Sequence, residues 1–304
     1  MLSLKNVYYF QAGIGILANA FLLLFHIYTI NQNHRTKPSD VTTCHLAFVH
    51  IVMLLTTLDI LSADIFKSLN APNDLTCKAL FYLSRVMRGL SICTTCLLSI
   101  IQVITISPST FYLSRFKNQL TKYIIRAFFC VWSLNLSSNS NMIIYTVAHS
   151  NITNLLNINK YCSLPSMKPI IMSIFFTLAV SQNVFFVAGM LISSVYMVIF
   201  LSSHQKRSRY LHSMKVLPRT SPTTRATQTV LLLVSFFVIM YCLDIIISSS
   251  SAILEKYDPV VLDVQRLVCN VYATVSPLVF ISSDKRIAAI LQNMIYMTPI
   301  LKSR

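Results

Sequence analysis

The chain has 304 residues, of which 55% are hydrophobic and only 11% charged. A soluble domain carries roughly 25% charged residues, so a water-facing globular protein is excluded. The formal charge of +16 lies in short stretches between apolar runs, not in a basic region interleaved with aromatics, which excludes a nucleic-acid-binding module.

Apolar runs of about 20 residues, each long enough to cross roughly 30 Å of hydrocarbon, recur along the chain. Seven spans are expected, over about 8–30, 42–66, 77–106, 123–147, 170–201, 226–251 and 264–283. With no long linker or internal repeat, residues 1–304 read as a single domain, an all-α membrane protein built as a seven-transmembrane helix bundle. "MLSLKNVYY" runs straight into the first span without a small-residue cleavage site, so no cleavable signal segment is expected. Span two carries Asp59. Span three opens at Cys77 and contains "LSRVMRGLSICTTCLLSIIQVITIS", with Arg85 and Arg88 in an otherwise uncharged run. Asn135 begins a formal sequon but lies inside span four. The "NIT" at Asn151 falls in the following loop and is the expected glycosylation site. Span six carries Asp244 and span seven Tyr272.

An odd number of spans puts the termini on opposite sides. Fifteen Lys and Arg fall on one side and seven on the other. The richer side is cytoplasmic, so the amino terminus is expected outside and the carboxyl terminus inside. In "SDKRIAAILQNMIYM", Ile287, Ile290, Leu291, Met294 and Ile295 form a helical stripe, an amphipathic tail helix over about 285–297 on the inner leaflet lipids.

Of eight cysteines, Cys44, Cys93, Cys96, Cys130, Cys242 and Cys269 fall within spans, where a small buried apolar residue is expected. Cys77 and Cys162 are best placed to meet in an oxidising compartment. Their disulfide would close a loop of about 85 residues, worth roughly 4–5 kcal/mol on the chain-entropy model.

"HLAFVHIVMLLTTLDILS", "CKALFYLSRVMRGLSICTTCLLSIIQVITISPSTFYLSRFK", "SPTTRATQTVLLLVSFFVIMYCLD" and "YDPVVLDVQRLVCNVYATVSPLVFISSDKRI" resemble the vomeronasal type-1 receptors, a family of pheromone receptors. The resemblance covers nearly the whole chain. It implies a plasma-membrane G-protein-coupled receptor of sensory neurons. It also implies small-molecule cues as ligands, sulfated steroids among them, and an inhibitory-class heterotrimeric G protein as partner. The chain departs from the wider rhodopsin-like pattern: "QVITISP" lacks an acid-Arg-aromatic triplet, span six lacks a kinking proline, and Phe280 ends "SPLVF". The usual activation contacts are therefore not carried over.

Arg85 and Arg88 are three apart and share one helix face. Arg88 lies almost three turns below Cys77, roughly 16 Å along the axis, pointing nearly the same way. Taking each span's midpoint as the bilayer centre puts both arginines roughly 6–10 Å toward the outside, and Asp59 and Asp244 roughly 7–8 Å on the same side. Two readings of this layer stand side by side. It is a buried ion-pair network that aligns helices, or an arginine in it stays available to a sulfate or carboxylate, which a guanidinium fits bidentately. Phe81, Tyr82 and Tyr272 are candidate walls for an apolar ligand body, or ordinary helix packing.

On the inner face, "SSHQKRSRYLHSMKVLPRTSPTTR" is the most basic loop, a matter of topology or a G-protein dock involving Arg219 and Arg225. No enzyme constellation, cofactor or metal set is expected: His26 and His50 are single and mid-span, read as packed or hydrogen-bonded. A transporter is disfavoured by the absence of paired repeats and by only four glycines. A bitter-taste-type receptor shares the architecture but fits the quoted stretches less well.

Overall fold

A computed structural model describes residues 2–32, 37–61, 74–107, 111–140, 143, 147–148, 155–157, 162–165, 169–211, 222–253, 259–284 and 286–289. Among them, seven helices of at least 24 residues follow one another: α1 (Leu2–Gln32), α2 (Pro38–Leu61), α3 (Asp74–Ile106), α4 (Phe111–Ser138), α5 (Pro169–Leu211), α6 (Pro222–Ile253) and α7 (Pro259–Ser283). Four of these helices begin on proline. Its missing N–H costs nothing in the first turn, and its fixed φ is already helical. Asp40 in the first turn of α2 adds a favourable charge at the positive end of the helix dipole.

Four stretches of the described residues are long and apolar enough to cross a membrane: Asn6–Gln32, Pro38–Leu58, Lys78–Ile106 and Val180–Ser203. Gln228–Leu243 in α6 is apolar but shorter. Large side chains such as Phe10, Phe129 and Phe185 project outward, each more than 70% exposed. That is the surface an apolar solvent requires.

Helix α3 lies at the centre, touching α2, α4, α5 and α6, while α1 and α7 close the other flank against α2. The largest buried group is Val49, Met53 and Leu54 of α2 with Val86, Met87 and Leu90 of α3. A second joins Ile92 and Cys96 of α3 to Met190 of α5, Leu233 and Phe237 of α6 and Tyr272 of α7. His45 ties α2, α3 and α4 together. The Trp132 Nε1–H donates to His45 Nε2 at 2.9 Å, so Nδ1 carries the proton and donates to Thr94 Oγ1 at 3.0 Å.

Three sequence expectations need correction. Helix α4 runs over Phe111–Ser138, not 123–147. In the Ser-Ser-Asn-Ser-Asn run that follows, Asn139 Nδ2 donates to the Asn135 carbonyl and Ser140 Oγ to the Ser137 carbonyl, at 2.9 and 2.8 Å. Such local side-chain bonds offer the backbone an alternative to another helical turn. The fold is also not purely helical, because the loop between α4 and α5 forms a small antiparallel sheet. It comprises β1 (Val147–Ala148), β2 (Leu155–Asn157) and β3 (Cys162–Pro165) in the order β1-β3-β2, with Ala148 opposite Cys162. Three strands of two to four residues are too short to show an alternating pattern in sequence. Cys130 and Cys242, expected to be buried, are exposed on outward helix faces, whereas Cys93 and Cys96 are buried as expected. An apolar thiol is as much at home against acyl chains as in a core.

Candidate functional site

Polar groups inside apolar helices are expensive unless they find one another, so the site is built outward from those that do. At the middle of the bundle His50 is fully buried. Its Nε2 meets Ser91 Oγ of α3 at 2.9 Å and its Nδ1 meets Ser276 Oγ of α7 at 3.2 Å. The Tyr272 ring stands edge-on to His50 at 5.4 Å and to Phe237 of α6 at 4.7 Å. Its hydroxyl lies 3.1 Å from Thr95 Oγ1. Four helices thus converge on one satisfied polar seam.

Beside it, α1 meets α7 through Asn19. Pro277 has no N–H to offer, so the carbonyl four residues earlier, that of Ala273, loses its helical donor. Asn19 Nδ2 supplies one at 2.9 Å while also reaching the Gly15 carbonyl at 2.7 Å. Gly15 makes the close approach possible. A Cβ there would stand 2.7 Å from Leu54 Cδ1 and 3.3 Å from the Thr274 Cα.

One turn further toward the amino-terminal end of α1, the same three helices part. A small hollow with room for about one water molecule lies between α1, α2 and α7 and is lined by Tyr8, Gln11, Ala12, Leu54, Thr57, Leu58 and Asn270. Thr57 Oγ1 donates to the Met53 carbonyl at 2.9 Å, and Asn270 Nδ2 donates to Thr57 Oγ1 at 3.3 Å. Gln11 Nε2 reaches the Leu267 carbonyl at 3.5 Å. Gln11 Oε1 is buried and accepts from no donor among the described residues, a condition that costs about 1–3 kcal/mol when no donor comes.

At the opposite end, the same helices are clamped by charge. The Arg286 guanidinium donates to both oxygens of Asp40, at 3.1 and 3.0 Å, and to Asp284 at 2.8 Å. It also lies 5.7 Å from the centre of the Phe25 ring, a cation–π distance. Asp284 accepts the Arg286 backbone N–H at 2.8 Å, capping the helical turn over residues 286–289. Ile287 of that turn is buried against Leu22 and Ala47. Burial alone would raise the Asp284 carboxyl, but the hydrogen bonds from Arg286 prevail and hold it below the usual carboxylate range. The same bonds to Asp40 and Asp284 raise the Arg286 guanidinium further.

Of the residues expected from sequence to form the site, Tyr272 is 3% exposed and belongs to the central seam. Tyr82 donates its hydroxyl to the Leu136 carbonyl at 2.9 Å, tying α3 to α4, and Phe81 is half-buried. On α3, Arg88 is half-buried and Arg85 exposed. Asp59, Asp244, Cys77 and Arg225 stand on α2, α6, α3 and α6, with side chains outside the described residues. Cys162 begins β3, its side chain likewise undescribed, and Asn151 and Arg219 lie wholly outside. The tail helix expected over 285–297 is described only at 286–289.

The sequence pattern of the vomeronasal organ pheromone receptor family matches residues 2–293. Vomeronasal type-1 receptor 51 of Mus musculus is 38% identical over 294 residues, covering 96% of this chain and 92% of the relative. Vomeronasal type-1 receptor 90 of Rattus norvegicus is 38% identical over 296 residues, covering 97% and 95%. The chain belongs to the vomeronasal type-1 receptor family. It is therefore a vomeronasal chemosensory G-protein-coupled receptor, a multi-pass protein of the plasma membrane and not an enzyme.

Charges stand out in the sequence of this receptor more than the uncharged groups that build the site. Gln11, Asn19, Thr57 and Asn270 all interrupt apolar runs, and that interruption was visible in sequence. The Asp40–Arg286 pair was not, because its partners are separated by almost the whole chain.

Proposed function

We propose that this vomeronasal receptor spans the membrane seven times with its amino terminus outside. It binds a small, largely apolar cue bearing an anionic group in the outer half of the bundle, and it signals through an inhibitory-class heterotrimeric G protein. The observation that carries the ligand class is the placement of Arg85 and Arg88 on α3, the helix that touches α2, α4, α5 and α6. A half-buried guanidinium in a mostly apolar bundle favours a bidentate anion. Asp59 and Asp244, on neighbouring helices α2 and α6, would compete with that anion for the same cations, so ligand entry would shift a bundle between two states. Phe81 and Tyr82 flank the arginines on α3.

The orientation is supported by the excess of Lys and Arg on the side of the carboxyl terminus. It makes the Cys77–Cys162 disulfide and glycosylation of Asn151 extracellular features. The sheet supports the bridge: β1 pairs with the strand that begins at Cys162 and packs on α3, which carries Cys77. Inside, Arg219 and Arg225 would contact the G protein, and the tail after α7 would rest on membrane lipids.

Two measurements test the proposal. In surface-displayed receptor, Arg88→Gln is expected to weaken the response to a sulfated steroid at least tenfold. The loss of a charge-assisted bidentate contact, roughly 1.5–3 kcal/mol, requires that much. Equal potency in both forms overturns the ligand role. An epitope tag at residue 1 is expected to be reachable in intact cells and one at residue 304 shielded, and the reverse overturns the orientation.

A further inference from the structure

Helix α4 carries four cations, Arg115, Lys117, Lys122 and Arg126, and no acidic residue. Its packing gives it two opposite faces. Leu120, Ile124, Val131 and Asn135, at i, i+4, i+11 and i+15, are buried, the first two against Ile101 of α3. Lys122, Arg126, Phe129 and Ser133, at i, i+4, i+7 and i+11, lie on the other side and are exposed. Arg126 therefore points away from the neighbouring helices, one turn from a phenylalanine that is itself turned outward. Among the described residues no carboxylate pairs with Lys122 or Arg126. The apolar band beyond Arg126 is short. It runs about 16 Å to the polar stretch that opens at Ser137, against roughly 30 Å of hydrocarbon. Consistent with this, α4 is not among the described stretches long and apolar enough to cross a membrane.

A guanidinium held in hydrocarbon is costly, and a long cationic side chain escapes by reaching toward the headgroups. That reach covers only part of the shortfall, so the bilayer beside α4 thins, which brings lipid phosphates down to the cations. We infer that Lys122 and Arg126 form a binding site for one anionic phospholipid headgroup, in the leaflet at the amino-terminal end of α4. The two side chains leave the helix about 6 Å apart along its axis, close enough to share one phosphate. Arg126 holds the phosphate oxygens bidentately and Lys122 adds a point charge, while the acyl chains lie along Ile125 and Phe129. A zwitterionic headgroup brings its own cation to the same phosphate, so the site prefers a lipid whose charge is uncompensated. The assignment rests on α4 crossing the bilayer, as in the seven-span reading. It is independent of the anion-binding reading of Arg85 and Arg88, and of which side is cytoplasmic.

The chain has a single tryptophan, Trp132, about 9 Å along α4 from Arg126 and half-buried, which makes it a reporter of adjacent lipid. Full-length receptor is placed, one copy per nanodisc, in phosphatidylcholine with increasing brominated phosphatidylglycerol or brominated phosphatidylcholine, whose bromines quench tryptophan at short range. Brominated phosphatidylglycerol should quench at about tenfold lower mole fraction, and the preference should shrink as salt rises. Lys122→Gln combined with Arg126→Gln should bring the two lipids to parity while quenching by brominated phosphatidylcholine and the unfolding temperature are kept. Lys122→Arg combined with Arg126→Lys should retain most of the preference. Equal quenching in the parent would mean that the cations accept any headgroup, and a preference that survives the double Gln substitution would come from cations elsewhere; either overturns the site. A preference that appears only with two copies per disc would give this face to a second receptor and overturn it too. Quenching by neither lipid would place α4 outside the bilayer, so the span reading would fail and the site with it. Should the double Gln variant not fold, the salt titration of the parent decides, and a preference indifferent to salt overturns the assignment.

Discussion

Helices α1, α2 and α7 meet at both ends of the bundle, and the ends are built from different materials. At one end, Arg286 spans two carboxylates, Asp40 and Asp284, and Ile287 is seated against α1 and α2. At the other, the described walls are neutral, an acceptor on Gln11 has no donor among the described residues, and a gap about the size of one water remains. Between them lies the tight crossing of Gly15, Asn19, Ala273 and Thr274. A bundle of this kind has a pivot, a closed end and an accommodating end. The contrast suits a receptor, since a ligand acts only where binding changes something, and a fully satisfied interface offers it nothing.

The comparison breaks most sharply at the pivot. Gly15→Val would push a branched side chain into Leu54 and the Thr274 backbone, and the backbone atom cannot rotate away. Overpacking of a closed contact costs about 1–3 kcal/mol, and the upper part of that range is expected here. The check is thermal unfolding of purified receptor together with the fraction reaching the surface. A Gly15→Val receptor as stable as the parent would show that the three helices slide freely, and the pivot would be lost as an idea.

At the clamp the effect is smaller. Arg286→Met removes the hydrogen bonds to Asp40 and Asp284 while keeping much of the side-chain volume. Charge-assisted bonds are worth about 1.5–3 kcal/mol, but the arginine side chain is 36% exposed, and solvent screening reduces the expectation to about 1 kcal/mol. The pH dependence has a definite sign. The Asp284 carboxyl is held below its ordinary range in the folded receptor, so its contribution is present in full above the unfolded carboxylate pKa of about 4. It is lost as pH falls through the lower, folded value. Acid should therefore cost the parent more stability than it costs Asp284→Asn, and parallel losses in the two would show that the carboxylate contributes nothing at the clamp.

How much of this could be read from the sequence depends on the distance between partners. Apolar runs within α1, α2, α3, α5, α6 and α7 were legible because apolar length is a local signal. The end of α4 was not, because side-chain bonding within residues 134–140 outweighed the apolar stretch beyond it. Asn19 could have been connected to Pro277 by a rule, since a proline inside a helix must strand one carbonyl. Sequence alone does not say which helix supplies the donor. Tyr272 was readable as either a cavity wall or ordinary helix packing, because it is aromatic and mid-helix. It became core because His50, Thr95 and Phe237, from three other helices, take up both its ring and its hydroxyl.

The open end should give the smallest change in stability. Gln11→Met exchanges an amide for a thioether of similar length. It loses a long hydrogen bond of 3.5 Å to the Leu267 carbonyl, and it also removes a buried acceptor that has no donor among the described residues. A weak bond lost and a desolvation penalty relieved, each on the order of 1 kcal/mol, should nearly cancel. The expected shift in unfolding temperature is within about 2 °C of the parent, since 1 kcal/mol moves larger domains by roughly 2–4 °C. A large loss would mean that the Leu267 bond holds α1 to α7 by itself, and the hollow would then belong with the clamp as structure. A near-zero change places Gln11 among residues kept for something other than folding, which is the difference between the two ends expressed in a single side chain.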